Sequence, residues 1–484
     1  MKRFRGFLLV GSLCLFAVTG LAQEGSQVEE LKLQLERMRA AFEKTQEQQR
    51  LQIEALSRQI EEMQPKAAPD PVLQDLERQL AEELAAQPGD ATGGSPPVAG
   101  VAAAPQPMLS AGSAYLNVGF DLITVAGWST DSDVSSSLNL GGHDPIQRGF
   151  SLRNAELTLE GAVDPYFKGA ANTIFLLDRD GETEFELEEA YLLSTALPSN
   201  LQIKAGQFFA SFGRLNSTHP HAWGFIDQPL ILNRVFGPEN LRNPGGQVSW
   251  LAPTPFYTEL FLGVFNGAGG TAFSFRNPGE GAGDPPSLYG RSTVERGVRG
   301  LGDLLFVPRV ASSFDLTDTQ TIVVGASAAL GPNSTGLEKR SEVYGMDAYW
   351  KWKPEDAMQG FPFMSWQTEA LYRRFEAGAD PAAVLTAETL RDWGFYSEGL
   401  WGFRPRWVAG LRGEFVTGNN SGIDSTSVLR GDRTRVSPNL TWYPSEFSKL
   451  RLQYNHDRGQ NIGEDHSVWL QLEILLGAHA AHKF

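Results

Sequence analysis

The chain has 484 residues, a net charge of −16 and a single cysteine, Cys14. Its acidity makes it a poor nucleic-acid partner, and one thiol near the N-terminus leaves no disulfide framework. No apolar run of about 18 residues follows the first segment, which excludes helical membrane spans but not spans made of alternating strands.

Residues 1–22 have the form of a secretory signal peptide. Lys2, Arg3 and Arg5 precede the apolar stretch Phe7–Val18, and Gly20-Leu21-Ala22 offers a small-x-small site for cleavage before Gln23. Leu13 is too bulky for a lipoprotein signal at Cys14. Residues 23–64 are expected to form a coiled-coil helix. Val28, Leu31, Leu35, Met38 and Phe42 step by three and four, and Ile53, Leu56, Ile60 and Met63 resume the pattern after a stutter. With no partner in its own sequence, that helix is expected to self-associate. Residues 65–113 carry a short amphipathic helix, Val72–Ala86, and a Pro/Ala/Gly-rich linker.

From Tyr115 onward the pattern becomes short alternating runs, and 114–484 reads as one barrel. Strands are predicted at 115–126, 150–163, 166–178, 183–195, 201–209, 247–252, 256–266, 303–315, 319–330, 341–353, 362–375, 390–402, 406–417, 432–443, 448–456 and 466–477. Connections alternate between short turns, such as Asp164-Pro165 and Arg404-Pro405, and mostly longer Gly/Asn/Asp-rich loops, such as 127–149, 211–246 and 267–302. That alternation is the signature of an antiparallel transmembrane barrel. An even count puts both ends, and the coiled coil, on the short-turn, periplasmic side.

Residue facing agrees. Leu450, Leu452 and Tyr454 oppose Lys449, Arg451, Gln453 and Asn455. Val468, Leu470, Leu472, Ile474 and Leu476 oppose Gln471 and Glu473, and Glu184, Glu186 and Glu188 oppose Phe185, Leu187, Tyr191 and Leu193. Apolar residues outward and charged residues inward imply lipid outside and water inside. The 29 Phe, 11 Trp and 51 Gly suit aromatic girdles and tight turns, and Phe484 closes the chain as an assembly signal would. The fold class is therefore all-β transmembrane: an approximately sixteen-stranded antiparallel outer-membrane β-barrel with an N-terminal periplasmic α-helical coiled coil.

Several short stretches, taken in order, resemble the phosphate-selective porin O and P family: Leu152-Arg-Asn-Ala-Glu156, Glu188-Glu-Ala-Tyr191, Gln207-Phe-Phe-Ala-Ser-Phe-Gly213 and Tyr443–Tyr454. The resemblance covers about 115–484. It implies a sixteen-stranded homotrimeric channel whose third long loop folds inward. That family lines its lumen with basic ladders. Here Lys168, Lys204, Arg373, Arg412, Arg433, Arg435 and Arg451, with Arg309, fall at or near inward positions, but Glu184, Glu186, Glu188, Glu369, Glu398, Glu414 and Glu473 share that lumen. Interleaved charges lining a general diffusion pore are the favoured reading over phosphate selectivity.

The long segment 211–246 is the expected constriction. Phe212, Trp223, Phe225, Leu230 and Phe236 would anchor it to the inner wall, while Arg214, Arg234 and Arg242 would stand in the gap and attract anions, offset by Asp227 and Glu239. The alternative is an ordinary rim loop. His219 and His221 with Asp227 make a weak zinc candidate, solvated loop histidines being the simpler reading. No nucleophile elbow, phosphate loop or metalloprotease helix occurs, so no enzyme and no cofactor are expected. The expected function is passive diffusion of small hydrophilic solutes or inorganic anions across an outer membrane. The alternatives are a receptor for a metal or chelate, and a structural tether acting through the coiled coil.

Overall fold

A computed structural model describes residues 109–477 apart from 112, 113, 136–139, 163, 280–286, 420–429 and 461. The expected signal peptide, coiled coil, amphipathic helix and C-terminal signal lie outside the described residues.

Among the described residues sixteen long strands form the barrel, numbered in chain order, and a short strand, Leu109–Ala111, pairs with the start of the first. The sixteen are β1 (Ala114–Ser129), β2 (Gly149–Ala162), β3 (Phe167–Leu177), β4 (Thr183–Ser194), β5 (Leu201–Phe209), β6 (Arg242–Leu251), β7 (Tyr257–Phe265) and β8 (Leu305–Thr317). The second half comprises β9 (Gln320–Pro332), β10 (Arg340–Trp352), β11 (Phe363–Ala377), β12 (Glu388–Arg404), β13 (Trp407–Gly418), β14 (Arg433–Ser445), β15 (Ser448–Gly459) and β16 (Gly463–Gly477). Each pairs antiparallel with its chain neighbours, and β16 closes onto β1 with Leu472 opposite Thr124. Closure leaves the sheet no free edge strand, although β4 pairs with β5 only over Ala190–Leu193, and the Gln207 and Arg242 side chains take up the Leu187 and Glu188 carbonyls there.

The alternation in the sequence becomes two faces. In β16, Leu470 and Leu472 are 47% and 38% exposed, whereas Gln471 and Glu473 are 2% and 0% exposed. A soluble sandwich would bury the leucines instead. Short connections take tight-turn geometry. Ser199 and Asn200 both adopt φ 59°, the left-handed pair that matches the twist of a hairpin.

Two expectations need correction. First, β6 begins at Arg242, so Arg242–Gly246 belong to the wall and the long connection is 210–241. Paired backbone, with Arg242 opposite Phe209, outweighs the Asn-Pro-Gly-Gly composition that marks a loop. Second, β4 does not keep one facing throughout. Its register against β3 slips between Asn172↔Glu189 and Thr173↔Leu187. The bulge leaves both Glu188 and Glu189 buried and turns Tyr191 inward against Phe208, whereas Phe185 and Leu187 stay outside.

The apolar core lies inside the barrel. Inward positions such as Val343, Leu371, Tyr396 and Val416 are hydrophobic and receive a loop rather than water.

Candidate pore constriction

The 210–241 segment leaves β5 and turns into the lumen at Gly213. Its φ is +58°, and a Cβ there would stand 1.9 Å from Glu369 Oε2, so the turn needs glycine twice over. Inward side chains of the wall then capture its backbone. Gly213 N–H donates to Ser327 Oγ at 3.1 Å and Leu215 N–H to Glu369 Oε1 at 2.8 Å. Ile226 N–H donates to Gln453 Oε1 at 2.8 Å and Leu230 N–H to Glu414 Oε2 at 2.6 Å. These acceptors sit on β9, β11, β15 and β13, so the loop is held from several sides of the barrel.

Asp227 is the electrostatic node. It is fully buried and accepts from Arg435 Nη1 at 2.7 Å, Gln453 Nε2 at 2.8 Å, Asn455 Nδ2 at 2.7 Å, and Arg412. Burial works against its charge, but the Arg412 and Arg435 guanidinium groups outweigh that and hold its carboxyl at about 2.

The short helix α1 (Leu230–Phe236) follows, buried at every position. Its apolar side chains join Phe212, Phe208, Phe265 and the inward residues of the wall in one cluster. Phe212 and Phe236 meet edge to face at 4.9 Å. Gly237, at φ +78°, ends the helix and donates back to Asn233 O at 2.9 Å.

Towards the short-turn end, a cavity of about 470 Å³ remains. Arg214, Lys351, Lys449 and Arg451 line it, with Glu398 as the one carboxylate among its lining residues. Arg214 lies over the Tyr349 ring at 4.2 Å and donates to Gln367 at 3.2 Å. Arg451 donates to Thr441 Oγ1 at 2.9 Å. Lys449 pairs with Glu473 at 2.7 Å. Low-dielectric walls strengthen the field of this basic excess.

The other expected site residues go elsewhere. Arg234 is 5% exposed and donates to Arg430 O at 3.1 Å; burial lowers its pKa to about 10. Arg242 is 1% exposed, donates to Leu187 O and Glu188 O at 3.1 Å, and pairs with Glu186. Neither stands in the gap. Both fill lumen volume, Arg234 donating to backbone carbonyls and Arg242 to the Leu187 and Glu188 carbonyls and the Glu186 carboxylate. Arg373, Arg412, Arg433 and Arg435 do face inward, but they are buried in pairs with Asp392, Asp227 and Asp457. Lys204 lies 3.4 Å from Glu189 and stacks over Tyr191 at 3.6 Å. Lys168 is exposed near the short-turn end of β3. Lys351, Lys449 and Tyr349 were missed as cavity residues. For Lys449 the signal was present, since it shares the β15 face with Arg451.

His219 and His221 are not solvated loop histidines, and Asp227 is not beside them. They turn to the β1, β2 and β4 wall, where His219 Nδ1 is 2.9 Å from Glu188 and Nε2 is 3.1 Å from Glu189. Burial opposes charge on His219, yet Glu188 and Glu156 raise its pKa well above the usual range. His143, held by Glu188, is likewise raised to about 9 against the effect of its burial.

Comparison with known proteins places the barrel in a lineage. No family model matches the chain. An uncharacterized protein of Aquifex aeolicus (strain VF5) is 32% identical over 366 residues, 71% of this chain and 73% of the relative. The chain belongs to the family of that Aquifex protein. Among solved structures, the outer membrane channel DcaP of Acinetobacter baumannii superposes with a TM-score of 0.51 at 14% identity, covering 76% of this chain and 99% of its own. OprB of Pseudomonas putida gives 0.44 at 11% identity, over 75% and 94%. The closed sixteen-strand antiparallel fold of this family member is the fold of the DcaP channel.

Proposed function

We propose that this protein is a bacterial outer-membrane porin through which small hydrophilic solutes diffuse passively, with a preference for inorganic anions. One observation carries the reading: the 210–241 loop crosses the lumen and leaves a cavity lined by Arg214, Lys351, Lys449 and Arg451 against Glu398 alone. An anion entering that space meets the cationic charge of Arg214, Lys351 and Arg451, Lys449 being paired with Glu473, while the basic side chains deeper in the lumen are neutralised by aspartates. Phosphate belongs to the solute class this charge admits, in keeping with the resemblance to phosphate-selective porins. The same reading puts residues 1–22 in a cleaved signal, the 23–64 coiled coil in the periplasm, and three copies in a trimer joined below the membrane by that coil.

Planar-bilayer recording tests it. The purified chain should give steady ohmic current, reverse on the anion side in a KCl gradient, and conduct more after deletion of 216–240. A chain that inserts without conducting, or whose conductance ignores that deletion, overturns the proposal.

A further inference from the structure

We propose that the contact between the inward loop and the β1–β2–β4 wall binds divalent first-row transition-metal ions at two triads that share Glu156, one with Asp121 and His221 and the other with Glu188 and His219. Of these side chains only His221 also lines the cavity on which the channel reading rests.

Glu156 stands between two ligand triads. Asp121, Glu156 and His221 bring three donor atoms within 4.8 Å of one another, and Glu156, Glu188 and His219 do the same. His219 Nδ1 is 2.9 Å from Glu188 Oε2 and 3.4 Å from Glu156 Oε1. His221 Nδ1 is 3.7 Å from Glu156 Oε2 and 3.9 Å from Asp121 Oδ2. Donors bound tetrahedrally at about 2.1 Å stand about 3.4 Å apart, so the spacing within each triad suits one ion.

The surroundings hold these donors in place. The far nitrogen of His219 faces Glu189 Oε2 at 3.1 Å, which leaves Nδ1 aimed at the triad, the arrangement seen where an outer carboxylate orients a metal-bound histidine. Asn154 donates to Asp121 Oδ2 at 2.9 Å, and Lys449 donates to the His221 carbonyl. Asp121 and Glu156 are both 0% exposed, yet Asp121 Oδ1 and Glu156 Oε2 accept no hydrogen bond. Buried carboxylate oxygens that accept no hydrogen bond are costly, with His221 Nδ1 standing 3.7 Å from Glu156 Oε2, and a cation among them would compensate that cost. The neighbouring lysines are already engaged, Lys204 with Glu189 and Lys449 with Glu473.

Two imidazoles with three carboxylates and no thiolate suit manganese, iron, cobalt or zinc better than calcium or magnesium, which take oxygen alone. Three ligands belong to the wall and two to the loop. A bound ion therefore staples the constriction in place.

The test uses the full chain without a polyhistidine tag, refolded in detergent, stripped with EDTA, and carrying His456→Ala and His466→Ala. Those substitutions remove a second, more exposed triad formed with Glu464. Cobalt(II) is titrated by calorimetry and visible absorption. Expected are saturable binding of at least one ion per chain, a ligand-field band, and affinity weakened about tenfold or more by Glu156→Gln and, separately, by His221→Gln. Heat-modifiable gel migration confirms that each variant is folded, and the loop-only His221→Gln serves if Glu156→Gln fails to fold. Absence of cobalt and zinc binding at millimolar concentration, or affinity unchanged in the folded variants, overturns the site and leaves a clamp of protonated histidines. The readout is independent of conductance, so its failure and the failure of the channel reading are distinguishable.

Discussion

Asp227 accepts a hydrogen bond from Arg435 at 2.7 Å although the two residues stand 208 positions apart. One lies on the inward loop and the other on β14, and their contact draws the loop across the lumen. Arg435 also reaches Asp457 at 2.9 Å, so the loop plugs into a charge network that begins in the wall. Breaking the Asp227 end strands Arg412 beside Arg435 with less compensation than either has now.

Asp227→Asn should cost about 3–5 kcal/mol of loop attachment, the usual penalty for removing one partner of a buried pair. Single-channel recording should then show higher mean conductance and rapid fluctuations absent from the native trace. Unchanged traces would show that the loop is held by its apolar anchor alone.

Acid should act in the same direction. The Asp227 carboxyl is depressed to about 2 in the folded protein, against about 3.9 when unfolded. Its contribution, about 2 kcal/mol, is therefore complete above pH 4 and is lost as pH falls from about 4 towards 2. Conductance noise should rise over that window in the native channel and be flat there in Asp227→Asn.

Arg214→Ala and Arg451→Ala should each move the reversal potential in a KCl gradient towards cations, and the pair should move it further. Arg234→Ala should leave selectivity near the native value and lower thermal stability, because its guanidinium caps backbone carbonyls away from the cavity. The reverse pattern would return the selectivity to Arg234.

Phe236→Ala should destabilise the loop by about 3–5 kcal/mol, since the ring is fully buried against Phe212 and the site cannot collapse readily. Limited proteolysis in detergent should cut 210–241 faster, while the barrel keeps its heat-resistant migration because its ladders close on themselves.

The wall of the barrel is legible in the sequence more fully than its contents. Lys449, Arg451, Gln453 and Asn455 alternate against Leu450, Leu452 and Tyr454, and the structure keeps that facing. In β4 Glu188 faces inward as expected and the rule fails beyond it, at Tyr191, because a single bulged residue reverses every facing after it and leaves no mark in composition. Arg234 and Arg242 were expected in the gap because arginine on a loop is ordinarily solvated. Nothing local says that Arg430 O or Leu187 O waits for them.

Local sequence pattern was enough for an antiparallel barrel of about sixteen strands with a long fifth connection. A period of two and the rhythm of loop lengths are local properties, and lipid outside with water inside leaves them one solution. Only the tertiary structure decided which charges are spent and which remain available. Arg435 and Arg451 are both inward arginines on neighbouring strands, yet Asp227 descends from a distant loop to neutralise the first, while the second is left beside the cavity. Coulomb energy depends on distances that close across the barrel, and those distances are set by the path of the loop rather than by the order of residues.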